Sequence, residues 1–172
     1  MTHSNVVHGD EVAATTQSKG QFEHTARRLG AAAGATTLGV SLFEVPAGKT
    51  AFPYHFHSSC EEGVYILAGE GTARIGGESI PVRAGDYVAF PPGPDFAHQL
   101  TNTGTQTLRY LALSAPAVFL GMDIVGYPDS NKVAFAAGAK PGKPLREAAS
   151  IMKIIKSDTP DVGYYDGEPL AK

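Results

Sequence analysis

The stretch Gly48-Lys-Thr-Ala-Phe-Pro-Tyr-His-Phe-His-Ser-Ser-Cys-Glu-Glu-Gly-Val-Tyr-Ile-Leu-Ala-Gly69 decides how this chain is read. His55 and His57 are two residues apart, so on a strand both imidazoles point to one face. Glu62 follows after a short connection, at the start of an apolar run, and a hairpin there returns its carboxylate opposite the two rings. Farther on, His98 opens another β-prone run just after Pro91-Pro-Gly-Pro94. Three imidazoles and a carboxylate form a borderline-soft donor set, suited to Fe, Mn, Co, Ni, Cu or Zn rather than Ca or Mg. Four protein ligands on an octahedral ion leave two positions for water, substrate or oxygen.

Outward from this stretch the texture is uniform. Short β-prone runs succeed one another at Leu38–Val45, Phe52–His57, Gly63–Leu67, Thr72–Ile75, Ser79–Val82, Tyr87–Phe90, His98–Thr101 and Leu108–Leu113. Turn elements divide them: Pro46-Ala-Gly48, Gly69-Glu-Gly71, Gly76-Gly77, Ala84-Gly-Asp86 and Asn102-Thr-Gly104. Close, regular spacing of this kind predicts an all-β, antiparallel sandwich or barrel. Residues 1 to about 20 are polar and aperiodic and read as a loose arm, while Ala26 to Gly34 reads as a short turn or helix. Beyond Ser114 the pattern weakens. Asp123 to Phe135 reads as loop with at most one further strand. Ile151–Ile155 is a run whose period does not separate strand from helix, and Val162 to Gly167 reads as a turn.

The two segments resemble the paired motifs of the cupin superfamily. Its first motif is Gly, five residues, His-x-His, three or four residues, Glu, six residues, Gly. Here that is Gly48, His55, His57, Glu62 and Gly69, with six residues in the first gap. The second is Gly, five residues, Pro-x-Gly, two residues, His, three residues, Asn. Here it is Gly85, Pro91, Gly93, His98 and Asn102, with four residues between Gly93 and His98. The resemblance covers residues 37 to about 114. It implies an antiparallel jelly-roll barrel over 29–115, preceded by an arm at 1–28. A C-terminal extension at 116–172 would pack on the barrel or on a partner subunit. It also implies one divalent transition metal ion (Fe, Mn, Zn or Ni) on His55, His57, Glu62 and His98, and barrels paired as a homodimer.

Glu62 is preferred to Glu61 as ligand because of its spacing to Gly69 and because of strand alternation. With Glu62 inward, Val64 and Ile66 also face the pocket; with Glu61 inward, Gly63, Tyr65 and Leu67 would do so. No catalytic residue is fixed by the sequence; Glu61 and Tyr65 are the candidates for a proton relay, with Tyr54 and Tyr110 as further phenols. Aromatic packing is the plainer role for those tyrosines. Lys49 and Arg74 are candidate anion contacts, against an ordinary solvated surface as the plainer role. Cys60, in the loop between two ligands, is a redox-sensitive thiol or simply a small loop residue. His3, His8 and His24 read as satisfied surface or core histidines.

Composition narrows the function classes. The chain has 172 residues, 42% hydrophobic and 18% charged, with a net charge of −3. That is one domain's length, and the charge balance lacks the basic stripe of a nucleic-acid binder. The most apolar region, Tyr110 to Val125, is broken by Pro116 and Asp123 and is short for a bilayer span. A single cysteine and an N-terminus without a basic, apolar leader suggest a cytoplasmic protein that acts on a small-molecule ligand or substrate. The resemblance leaves two classes open. One is a metal-dependent enzyme on an oxygen-rich metabolite, isomerase- or epimerase-like or dioxygenase-like. The other is a non-catalytic ligand-binding or sensor module.

Overall fold

Each apolar run between turns forms a strand whose alternate side chains face a common interior, as the period-2 pattern requires. The computed structural model of the protein describes residues 3–115, 122–138 and 151–161. Its strands are β1 (Ala14–Lys19), β2 (Phe22–Arg27), β3 (Gly39–Val45), β4 (Phe56–His57), β5 (Glu61–Ala68), β6 (Glu70–Ile75) and β7 (Glu78–Arg83). They continue with β8 (Tyr87–Phe90), β9 (His98–Thr101), β10 (Leu108–Ala115), β11 (Met122–Tyr127), β12 (Lys132–Ala137) and β13 (Ile151–Lys156). One short helix, α1 (Leu29–Ala32), links β2 to β3.

The strands pair antiparallel in a six-stranded sheet ordered β1-β2-β3-β10-β5-β8, a four-stranded sheet β13-β12-β11-β4 and a three-stranded sheet β7-β6-β9. A bridge between His55 and His98 joins the two smaller sheets edge to edge. The interior of this jelly roll is filled by Val45, Ile66, Ala73, Phe90, Leu100 and Leu108, all nearly or wholly buried. On β5 the burial follows the expected parity: Val64 and Ile66 are buried, whereas Tyr65 and Leu67 are exposed.

Three segments differ from the sequence reading. The expected loose arm contributes the β1–β2 hairpin, and β2 pairs with β3. Its outer strand is exposed along its whole length, so no apolar alternation marks it. The run expected as a strand over Phe52–His57 is a strand only at its end, because Pro53 has no N–H to give the ladder. The segment 122–137, expected to hold at most one strand, forms the β11–β12 hairpin around a 3₁₀ turn at Pro128–Ser130, and β13 settles the ambiguous run at 151–155 as a strand. The turn expected at Val162 to Gly167 lies outside the described residues.

Two of the motif glycines, Gly69 and Gly93, are backbone requirements. Gly69 has φ +81°, and a Cβ there would sit 2.7 Å from the Thr107 carbonyl oxygen. Gly93 has φ +121°, and its N–H donates to the His57 carbonyl at 2.8 Å. Asn102, fully buried, donates through Nδ2 to the carbonyls of Val45 and Gln106 and accepts from the Gly104 N–H. It ties the end of β9 to β3 and to the approach of β10.

Candidate metal centre

His55, Glu62 and His98 each present one ligand atom, and these atoms lie within 4.8 Å of one another. His57 joins them through the carboxylate: its Nε2 is 3.6 Å from Glu62 Oε2, and His98 Nε2 is 3.4 Å from the same oxygen. Backbone pairing sets this convergence. His55 and His98 exchange two backbone hydrogen bonds, at 3.1 and 2.7 Å. The two additional residues between Gly93 and His98 are taken up by a 3₁₀ turn at Pro94–Phe96, so the insertion leaves His98 in register with His55.

The tautomers are fixed by the groups behind the rings. His55 Nδ1 is 2.8 Å from the Pro53 carbonyl, His98 Nδ1 is 3.1 Å from the Phe96 carbonyl, and His57 Nδ1 is 2.5 Å from Asp123 Oδ2. A carbonyl or carboxylate only accepts, so each Nδ1 carries the proton and each Nε2 keeps a lone pair. This is how a metal-ligating histidine is commonly oriented. The two imidazole nitrogens and one carboxylate that converge within this spacing suit a divalent transition ion better than Ca²⁺ or Mg²⁺, and His57 stands outside that group of three, in contact with Glu62.

The electrostatics favour ligation at His55 and Glu62, whereas at His57 they favour the protonated ring, whose proton a metal would have to displace. Burial, then the neighbouring His98 and His57, hold His55 down to about 4, so it is neutral and ready to ligate at physiological pH. Burial also pulls His57 down, but its hydrogen bond to Asp123 and the charge of Glu62 outweigh it, and His57 titrates above the ordinary histidine value. Glu62 is pushed up by burial and more than restored by His98 and the other two rings, ending below the usual carboxylate value. It is ionised, as a ligand must be.

Asp123 is the residue that sequence reasoning missed. It is 2% exposed on β11. Its Oδ1 accepts from the Ser59 N–H and Oγ, each at 3.1 Å, and from Ser58 Oγ at 3.3 Å. Its Oδ2 takes the proton side of His57. The signal in the sequence was a lone carboxylate inside an apolar run, which a buried, fully hydrogen-bonded role explains.

A cavity of about 260 Å³ opens beside the ligands, lined by His55, Glu62 and His98 together with Phe43, Phe90 and Tyr110 among others. Tyr110 is buried and stacked on Phe43. Burial, then the charge of Glu62, pushes its phenol upward, so it stays protonated. The two relay candidates lie elsewhere: Glu61 is exposed and Tyr65 is on the outward face of β5. The two candidate anion contacts are also engaged away from the cavity. Lys49 donates to the Gly20 carbonyl, and Arg74 forms a bidentate pair with Asp129 while lying over the Tyr54 ring. Cys60 is buried in its loop, and His24 is a core histidine bonded to the Ala51 carbonyl.

These features define a jelly-roll barrel with a His and Glu centre that can hold a metal ion. Residues 41–114 of the chain match the family described as Cupin domain. It is 26% identical over 121 residues to Quercetin 2,3-dioxygenase of Bacillus subtilis, an alignment covering 68% of this chain and 36% of that protein. It is 39% identical over 59 residues to Oxalate-binding protein of Thermotoga maritima, covering 34% and 47% respectively. The chain thus spans less than half the length of either relative. Its fold also matches a solved structure from Acidithiobacillus ferrooxidans, described as that of a proposed sugar phosphate isomerase. That match has a TM-score of 0.76 at 24% identity and covers 93% of this chain and 97% of the other. Among the described residues no helix is long and apolar enough to cross a membrane.

Proposed function

We propose that this chain is a metal-dependent enzyme acting on a small molecule that chelates through oxygen, with His55, His57, Glu62 and His98 as the ligands. The observation that carries this reading is the set of three Nδ1 protons fixed by Pro53, Asp123 and Phe96, which leaves three Nε2 lone pairs facing one carboxylate beside a cavity. A divalent transition ion held there supplies Lewis acidity toward the oxygen atoms of a bound substrate. The chain's own groups do the rest. Asp123 keeps His57 in its ligating tautomer, the apolar lining excludes water, and Tyr110 offers a protonated phenol as hydrogen-bond donor.

Within this class, dioxygenase-like chemistry fits the cavity better than isomerase-like chemistry. The ionisable side chains described in its lining are three ligands, one protonated phenol and one arginine. That set holds and polarises a chelated substrate but offers little to carry a proton between carbons. The likeness to Quercetin 2,3-dioxygenase supports the same choice. A non-catalytic binding module is the second reading, favoured by the 39% identity to Oxalate-binding protein. Turnover of a panel of chelating metabolites by the metal-loaded protein, with and without oxygen, separates them. Oxygen-dependent loss of substrate supports the first reading. Turnover that persists without oxygen points to isomerase or lyase chemistry, and binding without conversion supports the second reading.

A further inference from the structure

The cavity has a far end that the metal centre does not use. Cross-strand register arranges its wall in rows. The row at the level of Glu62 runs Gly39, Ser114, Glu62, Phe90, and the next runs Ser41, Ala112, Val64, Val88. Below them, Phe43, Tyr110 and Ile66 close the floor. Space beside Glu62 therefore exists because β3 and β10 contribute Gly39, Ser41, Ala112 and Ser114, all small, to these two rows, whereas the same strands contribute Phe43 and Tyr110 to the floor.

Arg28 stands at the open side of those small rows. On β2, His24 and Ala26 face inward and are buried; Arg28 follows the last residue of β2, at the start of α1, and lines the cavity there. The β2–β3 ladder ends at Arg27 opposite Leu42, and the residues that follow on either side of it, Arg28 and Ser41, both line the cavity. Arg28 lines the same cavity as His55, Glu62 and His98, and it is the cationic residue among the described lining. Arg27, Arg74 and Arg109 are each paired with a carboxylate. Arg28 is exposed and forms no ion pair among the described residues. A loaded centre with one carboxylate and neutral imidazoles keeps one uncompensated positive charge, and Arg28 adds a second at the other end of the same space.

We propose that Arg28 is an anion-binding residue of this site and that the substrate class is a compact organic acid. Its chelating oxygens would lie at the metal, its apolar body against Phe43 and Phe90, and its carboxylate on the Arg28 guanidinium. This deepens the metal-dependent reading above and rests on it. A planar carboxylate matches the guanidinium fork with two parallel hydrogen bonds. The volume lies below the ~300–1,000 Å³ range common for drug-sized ligands, which suits one ring or a short chain. Phe43, Phe52, Phe90 and Leu100 in the lining favour a body with an apolar face over one that carries hydroxyls on every side.

The test uses iron(III)-loaded full-length protein with catechol and 3,4-dihydroxybenzoate, two probes that share the chelating oxygens and differ by the carboxylate. Binding is read from the visible charge-transfer absorption. The expected result is that the acid binds about tenfold more tightly than catechol, the gain of a partly solvated charge-assisted contact. Arg28→Gln abolishes that preference while leaving catechol affinity unchanged, and Arg28→Lys restores part of it. Unchanged catechol binding also reports that the variant is folded. Equal binding of the two probes, or a preference that survives in Arg28→Gln, overturns the role of Arg28 and leaves the metal reading standing. Iron that binds while neither probe does overturns the substrate class. Failure to bind iron or any other transition ion overturns both.

Discussion

Replacing Asp123 with Asn tests whether the C-terminal strands tune the metal centre. The substitution changes one oxygen to an amide nitrogen and hardly alters shape. Asp123 receives three hydrogen bonds on Oδ1, from the Ser59 N–H, the Ser59 hydroxyl and the Ser58 hydroxyl, and one on Oδ2, from His57. An asparagine satisfies the three donors only by keeping its oxygen on their side, which turns its NH₂ toward His57 Nδ1. That nitrogen must then accept, so the proton moves to Nε2 and blocks the ligating lone pair. The opposite flip sets the NH₂ against the buried Ser59 N–H, a donor facing a donor. Either way His57 is weakened as a ligand, and loss of such an outer partner typically costs about 10–100-fold in metal affinity. Competition with a chromophoric chelator should show Asp123→Asn losing at least tenfold and approaching His57→Ala, while its melting temperature stays within a few degrees of the wild type's. An affinity within twofold of wild type would refute the tautomer argument.

Three further outcomes follow from the geometry. In metal-free protein, His55 titrates at about 4 against 6.5 for an ordinary histidine, so between those values the unfolded chain binds the additional proton. Stability should therefore fall as pH drops through this window, by up to ~3 kcal/mol at ~1.4 kcal/mol per unit. Urea melts at pH 7 and pH 5 should show a smaller drop in His55→Asn; an equal drop in both proteins would count against the buried neutral ring. Asn102→Ala leaves the Val45 and Gln106 carbonyls and the Gly104 N–H without their partner, at a cost of about 3 kcal/mol, read as a fall of ~10 °C in Tm. A Tm within ~2 °C of wild type would remove that tie from the account. Gly69→Ala combines a positive φ with a Cβ placed 2.7 Å from the Thr107 oxygen and should cost about 1–3 kcal/mol, whereas Gly85→Ala, whose Cβ meets nothing within 4 Å, should cost only the φ strain.

The barrel was legible in the sequence because its information is local. Alternation within runs of four to eight residues places Val64 and Ile66 inside and Tyr65 outside, and the same parity chooses Glu62 over Glu61. The histidines were legible because His55 and His57 share one short segment and His98 follows a marked turn. What was not legible depends on partners far apart in the chain. Asp123 reaches His57 across 66 residues, and nothing near Asp123 announces a histidine. The β1 strand is polar on both faces, so only its pairing with β2 reveals it. The anion contact shows the same limit. Lys49 and Arg74 are close in sequence to the motifs, but Arg74 is held by Asp129, while Arg28 lines the cavity from the turn between β2 and α1, far from either motif in the chain.

The central claim is that four side chains of this chain hold one transition ion. Elemental analysis of protein purified without a chelating tag, beside Glu62→Gln and His98→Ala variants, tests it most directly. The account predicts about one transition ion per wild-type chain and its loss from both variants, each with a preserved β-sheet circular dichroism spectrum. Wild-type protein that takes up no metal even after reloading, or variants that retain a full complement, would contradict it.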